Sequence, residues 1–382
     1  MGKEKGIVME DDEVLWDYDP HTLAKHQILK AYLNAWAPIM LQGRERRILY
    51  LDGFAGPGES KDKKHLGSPI LALDLITAHR ALPKFKGEIV MHFIEIEPKR
   101  ATHLSELIKS RFFALPQAVK YDVINDEFCK KLREILTKVH ENGGALAPTF
   151  CFVDPFGWSD IDVDLLADLM LEDKAELFIT FVVGFIKRFV TDEKSGRSFA
   201  KIFTGTQMDQ IKTAGSDQEK EHMIMEFFVK NIKAAIKNKG KAHEIYDISF
   251  AAVGKNNTLT YYLIYFTSHP KGLKVMKEAM FAIGKDGSYR FSDFEFNPKQ
   301  SKIVDYTEGK EWQIEAAKDV YGGLKGKTLR VREIDSYVLT NTNWIFRKEI
   351  LKKLEEQGKI VCANKSKKKY TYSDEEELIQ FK

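Results

Sequence analysis

Between residues 46 and 185, short unbroken apolar runs alternate with stretches of helical period, and few architectures accept that order. RRILYLDGF (46–54), GEIVMHFIEIE (87–97), VKYDVIN (119–125), PTFCFVDPFG (148–157) and AELFITFVVGF (175–185) read as strands. Between them PILALDLITAHR, PKRATHLSELIKSRF and DEFCKKLREILTKVHENGG read as helices, the first with Ser68 as N-cap and Pro69 as first helical residue. Strands apolar on both sides belong to a parallel sheet covered on both faces. Right-handed crossovers then gather the loops that follow the strands at the carboxyl edge, where open α/β sheets bind ligands.

The flanks differ from this centre. The first twenty residues are acidic and promise little order. In HTLAKHQILKAYLNAW (21–36), Leu23, Ile28, Leu29, Tyr32 and Trp36 recur at helical intervals, and Pro38 and Gly43 are expected to end that helix. Residues 186–240 read as charged helix. HEIYDISFAAVG and TLTYYLIYFTS, joined by KNN, read as an antiparallel hairpin closing the sheet. A composition shift at Tyr321-Gly322-Gly323-Leu324-Lys325-Gly326 marks a linker. Beyond it helix, helix and β-ribbon outline a winged helix, with Leu351, Leu354 and Ile360 turned inward and Trp344 and Phe346 in its core. The expected division is an N-terminal segment and covering helix (1–45), an α/β domain (46–320) and a winged-helix domain (325–382).

Composition narrows the setting. With 382 residues, 43% hydrophobic and 30% charged, the chain can build a core in each of these units. No apolar run reaches the roughly 20 residues that span a bilayer, so no membrane role is expected. The acidic start lacks the apolar stretch of a secretory signal. Cys129, Cys151 and Cys362 form neither a disulfide framework nor a metal-binding cluster, so the expectation is no metal and a reducing cytoplasm. A net charge of +3 says nothing about nucleic acid, but the run KSKKKY at 365–370 is locally dense. Such a run is often only a solvated surface.

The first strand ends at Asp52 and runs into Gly53, Phe54, Ala55, Gly56 and Gly58, a loop whose backbone can approach a ligand closely. A tight turn without ligand is the plain alternative. Its spacing departs from GxGxxG and ESKDKKHL delays the next helix, so a cofactor without phosphate suits it better than a dinucleotide. Glu95, at the tip of the second strand, is placed to hold two ribose hydroxyls, since a carboxylate accepts several hydrogen bonds. Asp122 could receive an adenine amino group, or it could simply cap a helix. Asp154-Pro155-Phe156-Gly157 follows an unbroken apolar strand. The lone pair of an exocyclic base amine is delocalised into the ring; a carboxylate and the next carbonyl can accept both N–H groups and localise it, while Phe156 offers a stacking face. The competing account of Asp154 is an N-cap before a turn.

In this order the motifs look like those of SAM-dependent amino methyltransferases, and DPFG is similar to the catalytic motif of tRNA guanine-N2 dimethyltransferases. KHQILKAYLNAW, YLDGFAGPG, GSPILAL, FIEIE and VDPFG together resemble the three-Cys-motif partner protein (TcmP) family. That resemblance implies a Rossmann-like class I methyltransferase sheet with an appended winged helix, S-adenosylmethionine (SAM) as cofactor and a separately encoded three-Cys-motif partner. Lys25 and His26 also match the family and are candidate cofactor or substrate contacts, against the alternative of an exposed helix face. Arg347, Lys348, Lys352 and Lys353 around the second helix of the winged segment, with Lys365, Lys367, Lys368 and Lys369 at its wing, are candidate phosphate contacts. Winged helices also bind proteins.

The expected function is methyl transfer to an exocyclic amine of a nucleic-acid base, with RNA, including tRNA guanine N2, ahead of DNA. The main alternative is a non-catalytic nucleic-acid-binding subunit of a partner enzyme that keeps the SAM fold, and a lesser one is methylation of a small molecule or protein.

Overall fold

The computed structural model describes residues 14–155, 157, 161–190, 199–241, 243–254, 258–284, 290–292, 311–362, 372 and 375–382. Five parallel strands form its centre: β1 (Arg47–Asp52), β2 (Glu88–Ile94), β3 (Val119–Ile124), β4 (Thr149–Val153) and β5 (Ala175–Phe181). β6 (Tyr246–Val253) and β7 (Leu259–Thr267) form the hairpin, and β7 inserts antiparallel between β5 and β6. A short β8 (Arg290–Ser292) joins β6, giving the order β3-β2-β1-β4-β5-β7-β6-β8. The order reverses between β1 and β4, and in open α/β sheets ligands bind at the carboxyl edge beside such a reversal.

Alternate residues of each strand serve opposite cores. Ile48 and Tyr50 of β1 join one apolar cluster and Leu49 and Leu51 the other. The first cluster packs under α1 (Pro20–Leu41), α2 (Ser68–Thr77), α3 (Pro98–Arg111) and α9 (Pro270–Gly284). The second packs under α4 (Phe128–Glu141), α5 (Val163–Leu171), α6 (Val183–Phe189), α7 (Gly205–Thr213) and α8 (Asp217–Asn238).

Two helix boundaries differ from expectation. α1 continues through Pro38 to Leu41, because the carbonyl that loses its donor there belongs to exposed Asn34, while Ala37 and Leu41 remain buried. α2 is capped by Gly67 and begins at Ser68, whose hydroxyl turns to Asp52 instead.

The C-terminal unit has its own core. α10 (Glu311–Leu324), α11 (Val331–Asn341) and α12 (Lys348–Glu356) pack with a small antiparallel sheet of β9 (Thr328–Arg330), β10 (Ile360–Cys362) and β11 (Leu378–Phe381), ordered β10-β11-β9. The expected linker is instead the end of a helix: Tyr321–Leu324 are the last residues of α10, whose Ala316, Ala317, Val320 and Leu324 lie in this core. Leu351, Leu354, Ile360 and Trp344 are buried there too. No helix among the described residues is long and apolar enough to cross a membrane.

Candidate functional site

The loop after β1 is tied to the tips of both neighbouring strands. The Gly53 amide donates to the Phe152 carbonyl of β4 (2.8 Å), and the Ala55 amide to the Ile94 carbonyl of β2 (2.9 Å). These bonds bring Gly56, Glu95 and Asp154 to one edge of the sheet. Gly56 has φ 62° and Gly58 φ 88°, a left-handed backbone that other residues adopt at a cost. The glycines divide their work. A Cβ on Gly53 would lie 2.5 Å from the Phe128 ring, and one on Gly58 2.6 Å from Leu104, so these two serve packing. Among the described residues, a Cβ at Gly56 would meet only the Trp16 ring, at 3.4 Å.

Glu95 follows the last residue of β2 and is 3% exposed. One of its carboxylate oxygens accepts the Gly56 amide (2.9 Å) and the other the Glu97 amide (2.8 Å). Burial raises its pKa, and the two amides and the nearby Arg100 oppose that shift. Each oxygen has two acceptor directions, so one remains on each for a further donor.

Asp52 is fully buried, and neither carboxylate oxygen has a well-formed hydrogen bond. Burial pushes its carboxyl up to about 7; the Ser68 hydroxyl and the Phe54 amide favour the anion, and Asp154 and Glu95 disfavour it.

Asp154 emerges directly from β4, with its side chain 22% exposed. Its partner is the Lys25 ammonium of α1, 129 positions away in sequence. Lys25 and His26 are both buried, so the exposed-face account of this pair does not hold. Burial, and then the charge of Lys25, hold the His26 imidazole down to about 3, so it is neutral near pH 7. Pro155 is buried and Gly157 half-buried; Phe156 lies outside the described residues.

The segment before α1 covers this edge, which sequence reading missed because an acidic start carries no periodicity. The Trp16 ring lies 3.4 Å from where a Gly56 Cβ would stand; the Arg100 guanidinium rests 5.0 Å from its centroid, and the Trp16 carbonyl accepts the Lys61 amide. Tyr18 packs edge-on against His26. Burial, then the charges of Glu59, Asp154 and Asp52, raise its hydroxyl pKa far above the usual tyrosine value, so it stays a phenol able to donate.

Asp122 does not join the group. It lies inside β3, with its side chain 65% exposed and 3.2 Å from His92 Nδ1. The residues at the tip of β3 are Asn125, whose amide donates to the Glu95 and Ile96 carbonyls, and Asp126, which accepts the Glu127 amide and Lys130. The strand runs two residues further than a site at Asp122 requires.

On the C-terminal unit, Arg347, Lys348 and Lys352 are exposed and Lys353 half-exposed along α12. Lys365, Lys367, Lys368 and Lys369 lie outside the described residues.

Sheet order, antiparallel β7 and a carboxyl-edge site define a Rossmann-like α/β protein with the class I methyltransferase fold. No family model matches the chain, and no curated protein matches it. Among solved structures it is similar to a protein from Legionella pneumophila (12% identity, 69% of this chain and 93% of that one, TM-score 0.41). It is also similar to Trm1 from Pyrococcus horikoshii in complex with SAM (11%, 97% and 93%, TM-score 0.38). A third likeness is to an O-methyltransferase from Bacillus cereus in complex with SAH (13%, 66% and 82%, TM-score 0.34).

Proposed function

We propose that this chain is a SAM-dependent methyltransferase acting on an exocyclic amine of a nucleic-acid base, with RNA, and tRNA guanine N2 within it, ahead of DNA. The carrying observation is that Gly56, Glu95 and Asp154 meet at one strand edge beside the buried carboxylate of Asp52. The carboxylates of Asp52, Glu95 and Asp154 outnumber the cations beside them, Lys25 at Asp154 and Arg100 near Glu95, which disfavours a phosphate-bearing cofactor. Glu95 would hold the ribose hydroxyls, and the loop from Asp52 to Gly58 the remainder of the cofactor. When bound, SAM supplies an electrophilic methyl group.

This chain's part is to prepare the amine. Asp154 receives one N–H on the carboxylate oxygen that Lys25 does not hold, and the Pro155 carbonyl receives the other. The lone pair then turns out of the base ring. The contact with Lys25 orients Asp154, and the carboxylate is the nearest acceptor for the proton the amine sheds. A base within a duplex would have to be flipped out to reach this edge.

The appended unit, read as a winged helix, would present α12 to phosphates. The family resemblance further implies a three-Cys-motif partner, and the spacing of Cys129, Cys151 and Cys362 suits a reducing cytoplasm. A non-catalytic subunit is the second reading; it is favoured by the Lys25 ammonium standing on Asp154 and by Trp16 over the glycine loop.

One experiment separates the two. Incubation with labelled SAM and total RNA or DNA, followed by nucleoside mass spectrometry, should show a methylated base. Asp154→Ala should lower turnover by about 10²–10⁴ with SAM affinity nearly unchanged. Undiminished turnover removes Asp154 from the chemistry. Absence of SAM binding by the unmodified chain supports the subunit.

A further inference from the structure

At the opposite, amino edge of the sheet, a groove of about 1010 Å³ opens between the end of α1 and the turn before β2. A second groove of about 730 Å³ continues it toward β3, sharing Arg46, Phe85, Lys86 and Gly87. Six exposed cations line the two: Arg44, Arg46, Arg80, Lys84, Lys86 and Lys120. The two carboxylates among the lining are already engaged, Glu45 with Lys174 and Glu88 with Arg47. None of the six cations makes a side-chain hydrogen bond or ion pair among the described residues. This one surface therefore concentrates more positive charge than the net +3 of the whole chain.

Helix ends alone do not account for it. The carbonyl ends of α1 and α2 favour nearby cations, but one per helix would answer each dipole. Unpaired like charges repel one another, and the repulsion is relieved by a polyanion. We infer that this amino-edge groove binds the sugar-phosphate backbone of a nucleic acid. Charge decides the class of ligand, and continuity decides its form: two joined grooves follow a chain of phosphates rather than a single anion. The half-buried Phe85 adds an aromatic surface between the cations.

The strands of the sheet separate this groove from Asp154 by roughly 20 Å, at about 3.3 Å per residue over the six residues of β1. A molecule engaged at both edges must be at least that large, so the groove selects for a folded or long nucleic acid over a mononucleotide. The inference extends the nucleic-acid reading to a surface distant from α12, and its test needs no methyl transfer.

The full chain is titrated by fluorescence anisotropy against labelled RNA strands of about 20 nucleotides, single-stranded and hairpin, at several salt concentrations. Arg44→Glu, Arg80→Glu and Lys84→Glu are introduced together; all three side chains are exposed, and a circular-dichroism melt checks that the fold persists. The expected result is at least a tenfold loss of affinity near 0.1 M salt, and a salt slope shallower by about 2 for the single strand. A companion with Arg347→Glu and Lys348→Glu on α12 should retain the groove's share of the slope. Wild-type affinity and slope in the triple variant would overturn the inference. So would no RNA binding by the unmodified chain, or tighter binding of polyglutamate than of RNA. Failure of the methylation assay alongside a lost slope would count against the enzyme and leave the groove standing.

Discussion

Asp52 sits in a place that works against folding. Its carboxyl is enclosed, no hydrogen bond of good geometry compensates it, and burial raises it from 3.8 to about 7. Between those two values the folded chain holds a proton that the unfolded chain has released. Stability therefore falls as pH rises from about 4 to about 7, and stays lowered above that. The difference amounts to at most about 4 kcal/mol. Asp52→Asn should remove this dependence, raising the melting temperature at pH 8 and leaving it nearly unchanged at pH 4. Identical pH profiles for the two proteins would show that Asp52 is not the group titrating. A residue this unfavourable is readily explained by a ligand that partners it, so the same variant should weaken SAM. The places of Asp154 and Glu95 at the carboxyl edge were legible from sequence because each directly follows an apolar strand. Asp122 misled because a strand's end cannot be placed to within two residues from apolarity alone. The contact between Lys25 and Asp154 had no local signature, since it spans 129 positions and joins two polar residues.

α1 shows what periodicity captures and what it omits. Of the expected apolar stripe, Ile28, Leu29, Tyr32 and Trp36 are buried and Leu23 is half-buried. Its polar burial is what fixes its position. The Tyr32 hydroxyl donates to Glu176 of β5 (2.7 Å) and lies 2.7 Å from the Tyr265 hydroxyl of β7. Burial pushes the Glu176 carboxyl up to about 7 against the help of these hydroxyls. This cluster aligns the helix so that Lys25, two turns earlier, reaches Asp154. Tyr32→Phe keeps the ring and removes a donor from a buried carboxylate, so it should lower stability by about 1–3 kcal/mol. It should also reduce turnover through Lys25 more than it reduces SAM affinity. Urea unfolding and steady-state kinetics read the two effects separately; unchanged values in both would show that α1 is placed by apolar packing alone.

At the scale of the whole molecule, one buried lysine joins the two units. Lys277 of α9 is 1% exposed, and its ammonium donates to the carbonyls of Leu339 (2.6 Å), Thr342 (2.5 Å) and Trp344 (3.4 Å) at the end of α11. Helix ends present carbonyls without intrahelical donors, and a cation there also meets the negative end of the dipole. Burial lowers the lysine to about 8, with Asp247 opposing, so it stays mostly charged at neutral pH. The same residue thus caps a helix of the C-terminal unit and anchors that unit to the sheet. Nothing in the sequence distinguishes Lys277 from the other lysines and arginines of the chain, because its meaning depends on carbonyls more than sixty positions later. Lys277→Met preserves length and apolar bulk but leaves three carbonyls without their donor, which should lower stability by roughly 2–4 kcal/mol. The loss should be local in kind. Amide exchange should quicken at the end of α11 and across the α9–α11 contact, while Gly56 and its neighbours on the sheet keep their protection. If the two units instead lose protection together, the ammonium holds up the whole core and does not join two bodies.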